Sequence, residues 1–316
     1  MKPPESALTV WDGPYQGESS PRRGIPFGSS SVQHGTAVFE GIRCYSSPDG
    51  PVLFRLEEHL TRLLNSAQLL GINHGYDLDR LRQTALAAAA KSTQGDCYVR
   101  PGLFAADPYL SIDLSRVPFT LGIEVWPMPS SADRTPAATP GVRLTVSPWR
   151  RPLPASFPPR AKAVGTYVTS ALAKTAAVQA GFDDAVQLDP ESGRVAEATV
   201  SNVFLVADGT LLTPWLSESL LAGITRDTVL TLARQLGIPA REGPVEVGDL
   251  MSADEVFLTG TASELVPAAS IEDHSYPARR PVFEALSEAF RSAVSGREFS
   301  HLGWLTPVPV TSAVLP

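Results

Sequence analysis

RAKAVGTYVTSALAKTAAVQAGFDDAVQLDPESGRVAEATVSNVFLV, residues 160–206, decides the fold class. It opens on a lysine in a run of small residues and continues as a helix over about 167–180. DAVQLD (184–189) then reads as a strand. After a turn, the β-branched and aromatic content of RVAEATV and NVFLV marks two more strands. One helix followed by successive strands is not the regular alternation of a doubly wound sheet, so an α+β fold is expected. On the C-terminal side, a helix over 225–236 is opened by Thr225 and closed by Gly237. DEVFLTGTASELVP (254–267) is a strand running into a small-residue turn, and a last helix covers about 281–294.

On the N-terminal side, TAVFEGIRCY (36–45) reads as strand and turn, and PVLF (51–54) as a short strand. Leu56, Leu60, Leu63, Leu64, Ala67 and Leu70 recur at helical spacing, and Gly71 stops that helix. Asp77 caps a second helix, which ends before Gly95. CYVRPGLF (97–104) and PFTLGIEVW (118–126) are strands. PMPSSADRTPAATPG, rich in proline, separates them from the next strand, VRLTVS (142–147). The expected organisation is a small α/β domain over 1–128, whose first 31 residues form an extended arm. A linker over 129–140 and a larger domain over 141–316 carrying Lys162 complete it.

The chain has 316 residues, 43% of them hydrophobic and 19% charged, which suits a sizeable buried core. A net charge of −7 without a basic stripe argues against nucleic acid as a main partner. No apolar run reaches the roughly 18–20 residues of a membrane helix. Cys44 and Cys97 are the only cysteines, so neither a disulfide scaffold nor a CxxC metal site is expected, and a cytoplasmic setting follows. The five histidines make no H-x-x-H pattern. GxSxG, GxGxxG and Walker-A signatures are absent as well.

Only Lys2, Lys91, Lys162 and Lys174 are lysines among 26 Lys and Arg, so lysine chemistry has four candidates. Lys162 stands between Ala161 and Ala163. Desolvation there disfavours the ammonium and favours a nucleophilic amine able to form a Schiff base, although a lone lysine on a loop is more often a surface residue. Gly223 leads into the helix at Ile224 and Thr225, and a helix N-terminus suits a phosphate; an ordinary capped helix has the same pattern. LTGTAS (258–263) offers a second turn of small residues. Glu197 sits between two apolar strands, either as a solvated turn residue or as a buried acid that needs a cationic partner. Arg62, Arg100 and Arg43 lie in apolar or aromatic surroundings, where a buried guanidinium needs an anion.

In their order, HGTAVFEGIRCY (34–45), FRLEEHLTRLLNSAQLLGI (54–72), YVRPGLF (98–104), AKAVGTY (161–167), VAEATVSNVFLV (195–206), LLAGITRDTV (220–229) and DEVFLTGTASELVP (254–267) resemble the fold type IV pyridoxal-phosphate enzymes. The closest likeness is to the branched-chain aminotransferase group. The resemblance implies a two-domain enzyme with its site at the domain interface, a homodimer or larger assembly, and pyridoxal 5'-phosphate as cofactor. It implies that Lys162 holds the cofactor and shuttles a proton, that Tyr167 bonds the ring hydroxyl, and that Glu197 pairs with the ring nitrogen. Arg62, Ile224, Thr225 and Thr261 would hold the phosphate. Ala262, Ser263 and Tyr98 would receive the substrate carboxylate, and Phe39, Arg43 and Arg100 would line the pocket. The implied reaction moves an amino group between an L-amino acid, branched-chain or related, and a 2-oxo acid such as 2-oxoglutarate. A D-amino-acid or amine transaminase, or an aminodeoxychorismate-lyase-like enzyme, is the alternative on the same fold. The chain departs from the group's pattern at His34, at Val164-Gly165-Thr166, at Ala198 to Ser201 and at Ser130-Ser131, which bears on substrate choice, including one for specialised metabolism.

Overall fold

The computed structural model describes residues 8–12, 25–92, 95–108, 110–128, 141–216 and 219–309. It divides into two units. The first is Met1–Ser130 with Ala161–Gly165 and Ala293–Pro316; the second is Ser131–Arg160 with Thr166–Ser292. The sequence division is therefore redrawn at two places. The Lys162 stretch and the chain beyond Ala293 group with the N-terminal unit, because their hydrogen bonds run to its strands. The expected linker at 129–140 lies outside the described residues, as does most of the expected arm. Within that arm, β1 (Leu8–Asp12) is a sheet strand and Ser30–His34 a short helix, α1.

In the first unit, β2 (Val38–Phe39), β3 (Ile42–Ser47), β4 (Gly50–Phe54), α2 (Leu56–Leu69), α3 (Leu78–Ser92), β5 (Cys97–Phe104) and β6 (Thr120–Pro127) follow one another. Its sheet runs β1-β6-β5-β3-β4 and ends on β16 (Leu305–Pro307), with β2 also pairing β5. All of these pairs are antiparallel, and a short turn joins β3 to β4. Register partners share a face. Ile42↔Val99↔Val125 is one such row, and all three side chains are fully buried. This apolar face requires a cover, and α3 packs along β5 and β6. Arg43↔Tyr98↔Trp126 is the next row, so those three residues stand on the other face. Gly71, in the left-handed region at φ 66°, ends α2 where the sequence places its stop.

In the second unit the strands are β7 (Val142–Val146), β8 (Asp184–Leu188), β9 (Val195–Ala198), β10 (Asn202–Ala207), β11 (Thr210–Pro214), β12 (Ala240–Gly243), β13 (Glu255–Gly260), β14 (Glu264–Ile271) and β15 (His274–Ser275). The sheet order is β12-β11-β10-β13-β14-β7-β8-β9, with β15 on β14. Parallel and antiparallel pairs mix, as an α+β unit requires. Around it stand α4 (Tyr167–Gln179), α5 (Ile224–Gln235), α6 (Val247–Ser252) and α7 (Pro281–Val294). The Phe257 ring lies 5.2 Å from that of Phe204 and 5.6 Å from that of Phe283 on α7. Glu255 accepts hydrogen bonds from the first N–H groups of α7, at Val282 and Phe283. That carboxylate ties the helix to β13.

One helix start differs from expectation. The residue capping α5 is Gly223, not Thr225, and no side chain caps its first turn. A Cβ at Gly223 would collide with the Asn202 side chain, so close approach excludes a Ser or Thr cap there.

Phe257 fills the space between two rings. Phe257→Ala should cost about 3–5 kcal/mol of unfolding free energy, read from the shift of the denaturant midpoint at constant slope.

Candidate active site

Lys162 sits in a loop hydrogen-bonded into the first unit. The Phe39 N–H donates to the Lys162 carbonyl (3.1 Å), and the Val164 N–H donates to that of Ala37 (2.9 Å). Val38 and Ala163 form a β-bridge. The Lys162 Nζ lies 5.0 Å from the centre of the Phe39 ring, and the Arg100 guanidinium 4.1 Å from it. An aromatic face attracts such cations. Phe39 and Arg100 belong to the face of the sheet that carries Arg43, Tyr98 and Trp126, since Phe39 is registered with Gly102, two residues along from Arg100. Arg43 donates to the Met128 carbonyl (3.3 Å), and Tyr98 tilts against Trp126 at 4.9 Å. A Cβ on Gly41 would strike the Tyr98 phenol, so that hydroxyl lies directly over the backbone after Glu40. Tyr98, Trp126 and Met128 form one buried cluster.

Arg62 is brought to this region, and its visible partner is an acid that sequence reasoning passed over. Its Nε and Nη2 donate to the two carboxylate oxygens of Glu40, at 2.5 and 2.9 Å. Glu40 is fully buried and also bonds His59 Nδ1 at 2.7 Å. Burial would raise the Glu40 carboxyl, but Arg62 and His59 together hold it well below the usual carboxylate range. An ionised carboxylate only accepts, so Nδ1 of His59 carries the proton in the bond. His59 itself is lowered from 6.5, first by burial and then by Arg62 and Lys162, while Glu40 opposes the shift.

In the second unit Glu197 ends up in β9, buried. Arg151 Nη2 approaches its Oε1 at 3.1 Å. The Asn202 amide and the Leu221 N–H donate to Oε2, at 3.2 and 3.3 Å. The acid is thus held as a carboxylate by a buried guanidinium and two amides. Asn202 also reaches the Leu221 carbonyl (3.0 Å) and abuts Gly223, joining Glu197 to the start of α5. Ile224 and Thr225 are both buried in the first turn of that helix. Thr261, Ala262 and Ser263 form the turn between β13 and β14. At its base, a Cβ on Gly260 would meet the Ser263 and Ser201 hydroxyls at 3.0 and 3.1 Å. Tyr167 opens α4.

Each unit by itself presents groups that suit pyridoxal phosphate. The first offers an amine for its aldehyde and a guanidinium for its phosphate; the second offers a buried carboxylate for its ring nitrogen and an uncapped helix start for its phosphate. The Thr259 hydroxyl, buried and registered with Asn202, has no hydrogen-bond partner among the described residues, as expected beside a polar ligand. Sequence reasoning missed Glu40, His59 and Arg151 as site residues. Arg151 stands in the Pro/Arg-rich loop, where exposure is the default reading, and Glu40 is adjacent to a glycine turn.

The His59 shift sets a pH dependence. The unfolded chain takes up a proton as pH falls through about 6.5 while the folded chain does not, so stability declines below that point. A second decline begins below about 4.5, where the unfolded Glu40 is protonated and the folded one is still charged. Melting temperature should drop between pH 7 and pH 5.5, and His59→Asn should flatten that part of the curve while keeping the acid-side fall. An unaltered slope in His59→Asn would assign it to another group.

The sequence pattern of the class IV amino-transferases matches residues 37–271. The branched-chain-amino-acid aminotransferase of Salmonella typhimurium is 35% identical over 283 residues, covering 89% of this chain and 91% of the relative. The T.th. branched-chain amino acid aminotransferase, solved with pyridoxamine 5'-phosphate, superposes with a TM-score of 0.89 at 34% identity, covering 96% of this chain and 98% of the other. The same T.th. enzyme complexed with N-(5'-phosphopyridoxyl)-L-glutamate gives 0.85 at 34%, with the same coverage. The branched-chain aminotransferase from Thermoproteus uzoniensis, solved with norvaline, gives 0.86 at 33%, covering 96% and 99%. With a buried acid, a lysine and an uncapped helix start where the motifs place them, the chain belongs to the class IV aminotransferases, in the branched-chain aminotransferase family of fold type IV.

Proposed function

We propose that this transaminase moves the amino group of an L-amino acid with a branched-chain or related side chain to a 2-oxo acid such as 2-oxoglutarate. One observation carries the reading. Lys162 is held by its main chain to β2, with its amine over the Phe39 ring, on the sheet face that also presents Arg43, Tyr98 and Arg100. The L-glutamate adduct of the T.th. relative supports the L configuration and the acceptor. We also infer a cytoplasmic homodimer or larger assembly.

Bound pyridoxal phosphate supplies an electron sink that stabilises negative charge at the substrate Cα. Lys162 would hold the cofactor aldehyde through its ε-nitrogen, then act as the base that takes the Cα proton and returns it on the acceptor. Glu197, kept ionised by Arg151, Asn202 and the Leu221 N–H, would hold a proton on the ring nitrogen. Tyr167 would bond the ring hydroxyl. Arg62, Ile224, Thr225 and Thr261 would hold the phosphate. Tyr98, Ala262 and Ser263 would orient the substrate carboxylate, while Phe39, Arg43 and Arg100 bound its side chain. The buried Tyr98–Trp126–Met128 cluster offers an aromatic, water-excluding surface, which favours an apolar side chain over a polar one.

Two outcomes test the proposal. Lys162→Ala should lose both transamination and the visible absorbance of the covalently bound cofactor, and an unchanged spectrum would refute the assignment. With 2-oxoglutarate as acceptor, L-leucine should give a higher kcat/KM as amino donor than neutral polar L-amino acids of similar size; the reverse order, or a D-amino acid product on chiral analysis, would favour the other enzymes of this fold.

A further inference from the structure

Five hydrogen-bonded or covalent links in the first unit close on themselves. The Glu40 carboxylate accepts from the Arg62 guanidinium. One turn further along α2, the Ser66 hydroxyl donates to the Arg62 carbonyl (2.7 Å). The same hydroxyl accepts from the Lys162 N–H (3.0 Å). The Lys162 carbonyl accepts from the Phe39 N–H (3.1 Å), and Phe39 is covalently next to Glu40. Glu40 and Ser66 have no exposure to solvent, so water cannot replace either link. The Ser66 hydroxyl has one proton and donates it to Arg62, which leaves its lone pairs for Lys162.

We propose that Glu40 and Ser66 are positioning residues: they close a circuit that holds the Lys162 main chain and the Arg62 guanidinium in one frame. Neither touches the reacting atoms. The inference rests on the reading of Lys162 as the cofactor-holding amine. Its content is energetic. The Lys162 amine lies over the Phe39 ring, and where it can reach depends on where its backbone is held. Ser66 anchors that backbone to the helix bearing Arg62, and Glu40 fixes the guanidinium against the strand bearing Phe39. A cofactor that engages both cations then binds to a frame already set, and opening the circuit at any link removes the same advantage.

The measurements are the dissociation constant of pyridoxal phosphate for the full-length chain after cofactor removal, and the pH midpoint of the bound cofactor's visible band. Ser66→Ala removes the hydroxyl that accepts from the Lys162 N–H and should weaken cofactor binding about tenfold. It should also move the pH midpoint. Ser66→Thr, which keeps the hydroxyl, should restore both. Leu63→Val, on the same helix but outside the circuit, should lower the melting temperature without moving either. In a Glu40→Gln background, the effect of Ser66→Ala should shrink to under about threefold, because the circuit is already open. If Glu40→Gln does not fold, Arg62→Lys, which loses the guanidinium fork, takes its place. Equal factors in the two backgrounds, or an unmoved dissociation constant in Ser66→Ala, would overturn the inference and leave the Lys162 assignment standing. A wild-type chain that takes up no pyridoxal phosphate would overturn both.

Discussion

A carboxylate cut off from water needs a cation, and among the described residues Glu40 meets that requirement in full burial. It has no exposure, and burial by itself would neutralise it. Two bonds from Arg62 and one from His59 keep it ionised. Removing one partner of such a pair leaves a stranded charge, a loss of about 3–5 kcal/mol. The geometry is correspondingly inflexible. Glu40 follows β2, while Arg62 and His59 lie on α2, so satisfying the acid fixes the helix against the strand. Ser66, one turn beyond Arg62, then meets the Lys162 N–H. The place of the lysine follows from the neutralisation of the acid.

The second unit solves a similar problem with different groups. Glu197 is also a buried acid beside an arginine, but its second oxygen is held by amides. Amides orient a carboxylate without neutralising it, so Glu197 keeps an oxygen able to accept from a further donor. Asn202 contributes twice, since its amide group also sets the close approach to Gly223 at the start of α5. That approach is why the helix begins on glycine with no side-chain cap, the arrangement that best presents backbone N–H groups to a phosphate. In the first unit, the two-residue period of the strands separates an apolar face from one bearing Arg43, Tyr98, Arg100 and Trp126. Core and chemistry thus share the same strands.

Much of the fold was legible in the sequence, because helix and strand are written in local periodicity. The leucines from Leu56 onward define α2, CYVRPGLF coincides with β5, and Gly71 and Gly237 stand at helix ends in the left-handed region. The chemical types at the site were legible too. One lysine among small residues, one acid between apolar strands, and an ordered set of motifs sufficed to point to the family. Sequence and structure part company where a residue's role depends on a partner far along the chain. Arg151 in a proline-rich loop looks exposed until Glu197 is packed against it, and Thr225 looks like a cap until Asn202 occupies the adjoining space.

The chain alone therefore determined the elements, the α+β class, the family and the residue types able to hold a vitamin-derived aldehyde. Tertiary structure decided which charges are paired. It set Arg62 on Glu40 and Arg151 on Glu197, and it placed Ala161–Gly165 with the N-terminal strands rather than with the unit that follows them in sequence. The reason is physical. Periodicity is a property of neighbours within one or two turns, whereas the desolvation of a charge depends on every segment that packs around it, and no local pattern encodes that sum.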